Sequence, residues 1–241
     1  MKKDYFLYGK HAVSAALSNP NRVKKELLVS KSAFESLDAS LQKIAKTIKI
    51  SFLEKGEFSK LLPQNSNHQQ IALLTEKLSQ PELQQILKND CEKQTIVILD
   101  QISDPNNLGA VLRTSCALGV SAIIIPKDNA IAETPAVVKV ASGAFEHTPL
   151  ISVTNIREAM ELLKKNGFWC IGLDAKGEKQ FSEVSDFNKI ALVIGGEEGM
   201  RKLVKSSCDI LVNIPMPGKV ESLNLSNAAA ISIYHVMMLR S

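Results

Sequence analysis

From residue 95 onward, short apolar runs alternate with helical patterns, and this alternation constrains the fold more than any other feature. The apolar runs read TIVILD, SAIIIP, LISV, FWCIGLD, IALVIGG and ILVNIP. Strands that are apolar along their whole length are typical of parallel sheets whose two faces are covered by helices. Ligands of such sheets bind outside the carboxyl ends of the strands. The sequence therefore predicts an α/β domain over residues 95–241, with its functional site at one edge of the sheet.

The first 76 residues predict a second, smaller α/β domain. Helical patterns cover His11–Leu17, Leu37–Ile48 and Phe58–Leu62, and strand-like runs cover Glu26–Ser30, Ile50–Leu53 and Ile71–Leu74. Residues 77–94 are polar, include Pro81 and hold one brief helical pattern. We interpret them as a linker that lets the domains at 1–76 and 95–241 move relative to each other.

Charge is distributed unevenly between the two parts of the chain. Residues 1–78 contain 13 Lys/Arg and 7 Asp/Glu, whereas residues 79–241 contain 16 and 18. A basic first segment indicates binding to a polyanion, although a solvated lysine-rich surface would give the same count. With one Trp and three Tyr in the chain, a row of aromatic stacking platforms is not indicated.

The remaining composition favours a cytoplasmic protein without a metal. No apolar run approaches the roughly 20 residues that a membrane helix needs, so no membrane partner is expected. The N-terminus is basic but has no long apolar region of a secretion signal. The four cysteines lie far apart and form no CxxC pair, which favours neither a zinc site nor a disulfide framework.

The most informative stretch is residues 213–234, NIPMPGKVESLNLSNAAAISIY. Pro215 and Pro217 end a strand and stiffen the loop that follows. Four hydrogen-bonding side chains then precede an apolar helix predicted at Ala228–Leu239: Ser222, Asn224, Ser226 and Asn227. Helix capping accounts for one or two of them. The whole row of uncharged groups suits a site that orients a ligand without attracting a metal.

Two earlier stretches also lie at the carboxyl ends of predicted strands. Asp100–Gly119, DQISDPNNLGAVLRTSCALG, opens a helix at Asp104-Pro105. We expect Arg113 about one turn into this helix, where a cation opposes the helix dipole and so indicates function. Leu192–Met200, LVIGGEEGM, has two glycines that let the backbone approach a ligand closely. A plain strand-to-helix turn with solvated glutamates is the alternative.

Taken in their order along the chain, the three stretches resemble the signatures of the SpoU/TrmH family, the RNA ribose 2′-O-methyltransferases of the SPOUT superfamily. The resemblance implies a C-terminal SPOUT domain with a trefoil knot and an N-terminal domain similar to small RNA-binding ribosomal proteins. It also implies S-adenosylmethionine as the cofactor and a homodimer. The reacting-site residues carried over from the motifs are Asn107, Arg113, Glu197, Ser222 and Asn224. The cofactor-binding residues carried over are Gly195, Gly196, Ile214, Met216, Gly218 and Leu223.

The chain departs from the family pattern at two places. Its second motif is one residue shorter than usual, so either Glu197 or Glu198 holds the acidic position. We choose Glu197, because it keeps the family's spacing from the strand. Asn67-His68-Gln69-Gln70 resembles the family's His-Gln-Gly entry into a strand, with Gln70 where glycine is usual. We interpret His68 as a turn residue rather than a catalyst.

The resemblance implies methylation of a ribose 2′-hydroxyl, most closely that of a guanosine in large-subunit (23S) ribosomal RNA. The 2′-hydroxyl makes the substrate RNA rather than DNA. Arginine is normally protonated, so we expect Arg113 to bind the target phosphate and steer the hydroxyl. One alternative is a transfer-RNA ribose methyltransferase. Another is a non-catalytic RNA-binding ribosome assembly factor, because the second motif is shortened. On the last helix, apolar residues recur at helical spacing and belong either to a dimer interface or to the core: Ile231, Tyr234, His235 and Met238.

Overall fold

The computed structural model describes residues 4–63, 66–88, 91–127, 133–184, 187–196 and 198–239. They form two compact units. The first comprises the described residues of Met1–Ser79 and Glu133–His147, and the second those of Gln80–Ala132 and Thr148–Ser241. Among the described residues, every helix is too short or too polar to cross a membrane.

The chain alternates strands and helices throughout its described length. The strands are β1 (Tyr5–Tyr8), β2 (Lys24–Val29), β3 (Lys49–Phe52), β4 (Ile71–Thr75), β5 (Gln94–Asp100), β6 (Ala122–Pro126), β7 (Leu150–Val153), β8 (Trp169–Leu173), β9 (Lys179–Gln180), β10 (Lys189–Gly195) and β11 (Ile210–Asn213). The α-helices are α1 (Lys10–Ser18), α2 (Lys31–Glu35), α3 (Ala39–Ala45), α4 (Lys55–Leu61), α5 (Leu83–Leu87), α6 (Pro105–Ala117), α7 (Pro135–Ala141), α8 (Ile156–Lys165), α9 (Lys202–Lys205) and α10 (Leu225–Met238).

The first unit is built on a mixed sheet with the strand order β1-β4-β2-β3. β4 runs antiparallel to both of its neighbours, while β2 and β3 are parallel. The apolar face of α1 is buried, and so is the ring of Phe58 on α4. The predicted small α/β domain is therefore present, with β1 as a strand that the sequence pattern did not identify.

The second unit is built on a parallel sheet with the order β7-β6-β5-β10-β8-β11-β9. Residues of its inner strands, such as Ile96, Ile98 and Val193, are fully buried because helices cover the sheet. The predicted α/β class and parallel sheet are thus confirmed. Since the strands are parallel, the carboxyl ends of β5, β8, β10 and β11 lie along one edge.

Two segments depart from the contiguous domains that the sequence predicted. Leu83 and Ile86 of α5, in the predicted linker, are buried in the core of the second unit, and a capping box involving Glu82 and Gln85 starts that helix. The segment Glu133–His147 groups with the first unit, although it lies within the predicted 95–241 domain. Units defined by contacts are therefore discontinuous in sequence.

A buried ionic network explains why Glu133–His147 belongs to the first unit. The side chain of Arg22 is fully buried and donates to Glu133 at 2.6 Å and to Glu146 at 2.5 Å. Burial opposes its charge, but the two carboxylates hold the pKa of Arg22 above its ordinary value. Removing one side of such a buried pair leaves an uncompensated charge, which is strongly destabilising. The network therefore holds the segment on the first unit.

Candidate active site

An ion pair fixes the turn that follows β10. Asp100, at the end of β5, is fully buried. Its two carboxylate oxygens accept hydrogen bonds from the backbone N–H and from Nε of Arg201, each at 2.8 Å. Arg201 thereby anchors the second motif to the neighbouring strand. Sequence reasoning missed this pair, because nothing in the spacing links positions 101 residues apart.

Gly195 and Gly196 are required by the packing of the backbone itself. A Cβ on Gly195 would lie 2.2 Å from backbone atoms of Gly199 and Met200, and one on Gly196 would lie 2.2 Å from the carbonyl oxygen of Gln101. Gly196 also donates its N–H to the Asp100 carbonyl at 2.7 Å. Any larger residue would push the turn away from β5. The structure therefore gives these two predicted cofactor residues a scaffolding role at the strand end.

A pocket of about 140 Å³ lies beside the ends of β8 and β11. It brings together four of the predicted site residues: Ile214, Met216, Ser222 and Leu223. The rest of its lining comes from residues that the motifs did not point to: Leu173, Asp174, Ala175, Glu221 and Ala228. The walls are mainly apolar, with carboxylates and a hydroxyl at a few positions. Pockets for whole small molecules are typically larger, roughly 300–1,000 Å³, so this pocket has room for only part of such a ligand.

Asp174 is the most informative of the missed residues. Its backbone N–H donates to the Val212 carbonyl at 2.9 Å, and its carboxylate pairs with Lys205 at 2.6 Å. Burial works against ionisation, but the hydrogen bonds from Lys205 and from the backbone of Lys176 lower the pKa of Asp174 below its ordinary value. The pocket thus contains a permanently charged carboxylate at neutral pH. The available signal was the aspartate that ends the run FWCIGLD at the carboxyl end of a strand.

Helix α6 positions the first motif. Asp104 accepts a hydrogen bond from the Asn106 N–H at 2.9 Å and caps the helix, and Pro105 follows as its first residue. Asn107 is buried, and α6 packs along α10. Arg113 is exposed, and its guanidinium has no ion-pair partner among the residues that the structure describes.

The expected position of Arg113 was wrong. Helix α6 begins at Pro105 and ends at Ala117, so Arg113 is the ninth of its 13 residues. It therefore lies nearer to the negative end of the helix dipole, where a cation is favourable. The dipole gives no reason to assign it a function. Its assignment rests on its place in the first motif, and its exposed guanidinium is free to meet a ligand.

Some residues of the last motif line the pocket, and Asn224 lies at the N-cap of α10. The Oδ1 atom of Asn224 accepts from the N–H of Ser226 at 2.9 Å and from its hydroxyl at 2.6 Å. Asn224 is thus the N-cap, and α10 begins at Leu225, three residues before the predicted start. Gly218 is exposed, and an added Cβ would meet nothing within 4 Å. Glu197 lies outside the described residues.

The chain was compared with known families and structures. The model of the SpoU rRNA methylase family matches residues 94–234, and that of the RNA 2′-O ribose methyltransferase substrate-binding domain matches residues 6–81. A 23S rRNA (guanosine-2′-O-)-methyltransferase, RlmB, of Coxiella burnetii is 40% identical over 247 residues. That match covers 100% of this chain and 98% of the relative.

Solved structures give the same result for the fold. The SpoU methyltransferase AviRb of Streptomyces viridochromogenes, in complex with AdoMet, superposes with a TM-score of 0.80 at 22% identity, covering 98% of this chain and 90% of that one. The TrmH/SpoU tRNA modifying enzyme of A. aeolicus has a TM-score of 0.56 at 25% identity and covers 64% of this chain and 79% of that one. These matches confirm the predicted order of a small substrate-binding domain and a methylase domain. The chain belongs to the SpoU rRNA methylase family, the RNA ribose methyltransferases that its three motifs predicted.

Proposed function

We propose that this protein methylates the ribose 2′-hydroxyl of a guanosine in 23S ribosomal RNA, with S-adenosylmethionine as the methyl donor. The observation that carries the proposal is the 40% identity to RlmB, a 23S rRNA guanosine methyltransferase, over essentially the full length of both chains. The site supports it, because the three motifs converge on the carboxyl edge of the parallel sheet, where ligands of such sheets bind.

The pocket between the ends of β8 and β11 fits one part of the cofactor. Its apolar walls, formed by residues such as Leu173, Ile214 and Leu223, suit a flat heterocycle. The carboxylate of Glu221 favours a cationic ligand by its charge, whereas that of Asp174 is already paired with Lys205. S-adenosylmethionine, when bound, supplies a methyl group on a positively charged sulfur. The turn anchored by Arg201 and Asp100 gives this edge a fixed shape.

The remaining site residues act on the RNA. The unpaired guanidinium of Arg113 is suited to bind a phosphate of the target nucleotide and so to orient its 2′-hydroxyl. Positioning of this kind supplies several kcal/mol of a barrier to bimolecular transfer. The free hydroxyl of Ser222, exposed at the pocket, offers a further hydrogen bond to the ribose. Asn224 contributes by capping α10 and fixing the end of the loop. The residues Asn107 and Glu197 keep their predicted catalytic assignment as part of this proposal.

Radiolabelled methyl transfer tests the proposal. The purified protein is incubated with methyl-labelled S-adenosylmethionine and, separately, with 23S ribosomal RNA and total transfer RNA, both taken from cells that lack the gene. We expect label in the ribosomal RNA, on a guanosine whose phosphodiester resists alkaline cleavage. The Arg157→Ala variant changes an exposed arginine on α8. When Arg113 variants are assayed in the same way, it is the matched control for loss of a surface charge.

Label in transfer RNA alone would replace the ribosomal substrate by the alternative one. The A. aeolicus tRNA modifying enzyme covers only 64% of this chain, whereas the RlmB relative covers all of it, and this difference favours ribosomal RNA. An absence of label in every RNA, from a protein that still binds RNA, would favour the non-catalytic assembly factor.

We further propose a cytoplasmic homodimer whose C-terminal domain is knotted. Ile231, Tyr234 and Met238 support the dimer, because they share one face of α10 and are each between 43% and 52% exposed. The alternative that the predicted residues belong to the core is wrong for these three, while the ring of the fourth, His235, lies 5.3 Å from that of Phe181. The knot is proposed from membership of the SpoU family alone, since the resemblance to that family implies a knotted SPOUT domain.

A further inference from the structure

The first unit contains a polar pocket that the proposed reaction does not use. It has a volume of about 230 Å³, below the roughly 300–1,000 Å³ of pockets for drug-sized ligands. It lies where α1, α2 and β4 begin and carries one ammonium, three hydroxyls and two amides. The side chains that bear these groups are Lys10, Ser30, Ser32, Ser36, Gln69 and Gln70.

Two strained residues form one wall of this pocket. Gln69 and Gln70 have φ values of 51° and 56°, in the left-handed region that is costly for residues other than glycine. Gln69 is held in place, since its Oε1 accepts from the Lys10 N–H at 3.0 Å and from the Lys139 ammonium at 3.3 Å. The side-chain amide of Gln70, in contrast, makes no hydrogen bond within the described part of the chain.

The identity of Gln70 therefore needs a reason other than stability. Glycine would adopt the observed φ without strain. Glutamine costs stability here and gains no internal hydrogen bond in return. Strain that persists beside a pocket is typical of a ligand-binding position. Its amide is then available to a molecule that enters the pocket.

The chemistry of the lining selects the ligand. Glutamine amides and serine hydroxyls both donate and accept hydrogen bonds, as the edge of a nucleobase requires, whereas a phosphate only accepts. The Ser30 and Ser32 hydroxyls lie 3.2 Å apart and already share one such bond. Lys10 adds a cation, with no ion pair among the described residues, that suits the phosphate of the same nucleotide. Sequence-specific RNA readers generally take up unpaired bases, since the deep groove of an RNA duplex hides its base edges.

We propose that this pocket binds one unpaired nucleotide of the substrate RNA, with the Gln70 amide on the base edge and Lys10 on the phosphate. The inference rests on the proposed function for the identity of the nucleic acid. It assigns the first unit a specific contact in addition to its general positive charge. Selection of the substrate RNA then depends in part on the side-chain amide of Gln70, a residue held at a φ of 56°.

Fluorescence anisotropy with a mixed-sequence single-stranded RNA 16-mer, and with its duplex, tests the pocket in the full-length protein. Gln70→Ala keeps the strain and removes the amide, while Gln70→Gly removes both. Both variants are expected to weaken single-strand binding about 10-fold, because a bidentate hydrogen bond to one base edge is lost. Duplex affinity should stay unchanged. Because the amide is neutral, the salt dependence should also stay unchanged, whereas Lys10→Ala should reduce the salt slope by about one phosphate contact.

Stability measurements separate binding from folding. Gln70→Gly should melt no lower than the wild type, because glycine relieves the left-handed strain. Ser142→Gly is the matched control, since Ser142 has a φ of 53° in the same unit but does not line the pocket. It should leave both RNA affinities unchanged. Wild-type single-strand affinity in both Gln70 variants, or an equal loss for single strand and duplex, would overturn the pocket. Failure of the methyl-transfer assay with the wild type would instead overturn the proposed function, whatever the anisotropy shows.

Discussion

Arg113 carries the clearest expectation at the scale of single residues. Arg113→Ala should reduce methyl transfer by about 100-fold or more, because a positioned, charge-assisted hydrogen bond to the reacting group is lost. Arg113→Lys should restore little, since an ammonium lacks the planar fork that aligns two oxygens. Single-turnover assays with saturating cofactor measure this loss, and calorimetry should show that cofactor affinity is retained.

The competing account treats Arg113 as an ordinary surface residue. Arg157→Ala, on an exposed helix face of the same unit, provides the comparison. Truncation of a surface arginine usually changes stability by less than about 0.5 kcal/mol. If Arg113→Ala retained the wild-type rate and melting temperature, as we expect of Arg157→Ala, Arg113 would have no catalytic part.

Single residues also mark the limit of prediction from sequence. The need for glycine at 195 and for a capping side chain before the last helix follows from local rules on backbone space and hydrogen bonding. Asp174 and Arg201 do not, because their partners come from distant strands that only the folded sheet brings together. The predicted orienting role of Asn224 is, in the structure, first of all a helix cap.

The turn before β4 is expected to depend on the protonation state of His68. His68 stacks on Phe58 with ring centroids 4.8 Å apart, and its Nδ1 accepts from the Gln70 N–H at 3.0 Å. Burial, then the nearby charges of Lys139 and Lys55, lowers the pKa of His68 below the ordinary 6.5. The neutral ring is therefore favoured in the folded state, so its contribution to stability is present above about pH 6.5 and is lost as the pH falls below it.

Melting temperatures between pH 8 and pH 5 check this expectation. The wild type should lose stability on acidification, and His68→Phe, which keeps the stacking but cannot accept the bond, should lose less over the same range. His147→Gln, which changes an exposed histidine of the same unit, should follow the wild type. Parallel curves for the wild type and His68→Phe would show that the turn does not depend on this proton.

At the scale of elements, the sequence predicted regular patterns better than boundaries. The strands of the parallel sheet are clear as apolar runs, because each is buried on both faces. The last helix begins at Leu225 rather than at the predicted Ala228, since Asn224 caps it. The predicted linker contains α5, whose two apolar residues join a core that no local pattern reveals.

The apolar face of α10 belongs to the scale of the whole molecule. Light scattering at micromolar concentration should give twice the 26.3 kDa of one chain, because a dimer would cover Ile231, Tyr234 and Met238. A double variant, Tyr234→Lys with Met238→Lys, should be monomeric. Leu203→Lys, at an exposed apolar position on α9, should remain dimeric. A wild-type mass of one chain would exclude the dimer.

Removing residues 1–78 separates the contributions of the first unit. The truncated protein should lose RNA affinity, and the lost part should fall with increasing salt, because the removed segment carries 13 Lys/Arg against 7 Asp/Glu. Cofactor affinity should persist, since the pocket and its turn lie in the second unit. Filter binding at several salt concentrations and calorimetry measure the two quantities. Equal RNA affinity with and without the segment would contradict its role.

The same truncation should lower the stability of the remaining protein more than the removal of a whole, contiguous domain would. It leaves Glu133 and Glu146 without Arg22, their buried partner. Adding Glu133→Gln and Glu146→Gln to the truncated protein should change its melting temperature little, because the truncation also removes the residues that bury these two carboxylates and leaves them in water. In the full-length protein, the same double variant should instead lower it.

The discontinuity of the first unit also has a consequence during translation. Its sheet is complete once residue 75 has been made, but Arg22 has no carboxylate partner until residues 133–147 emerge. The same residues supply Gly143, against which α1 packs so closely that a Cβ there would lie 2.9 Å from the Cβ of Ala15. At roughly 5–20 residues per second, the ribosome takes several seconds to cover this interval. The residues that are synthesised first are therefore complete before their partner segment exists. Until that segment emerges, after two strands of the other sheet, the guanidinium of Arg22 remains in water, although it is buried in the finished protein.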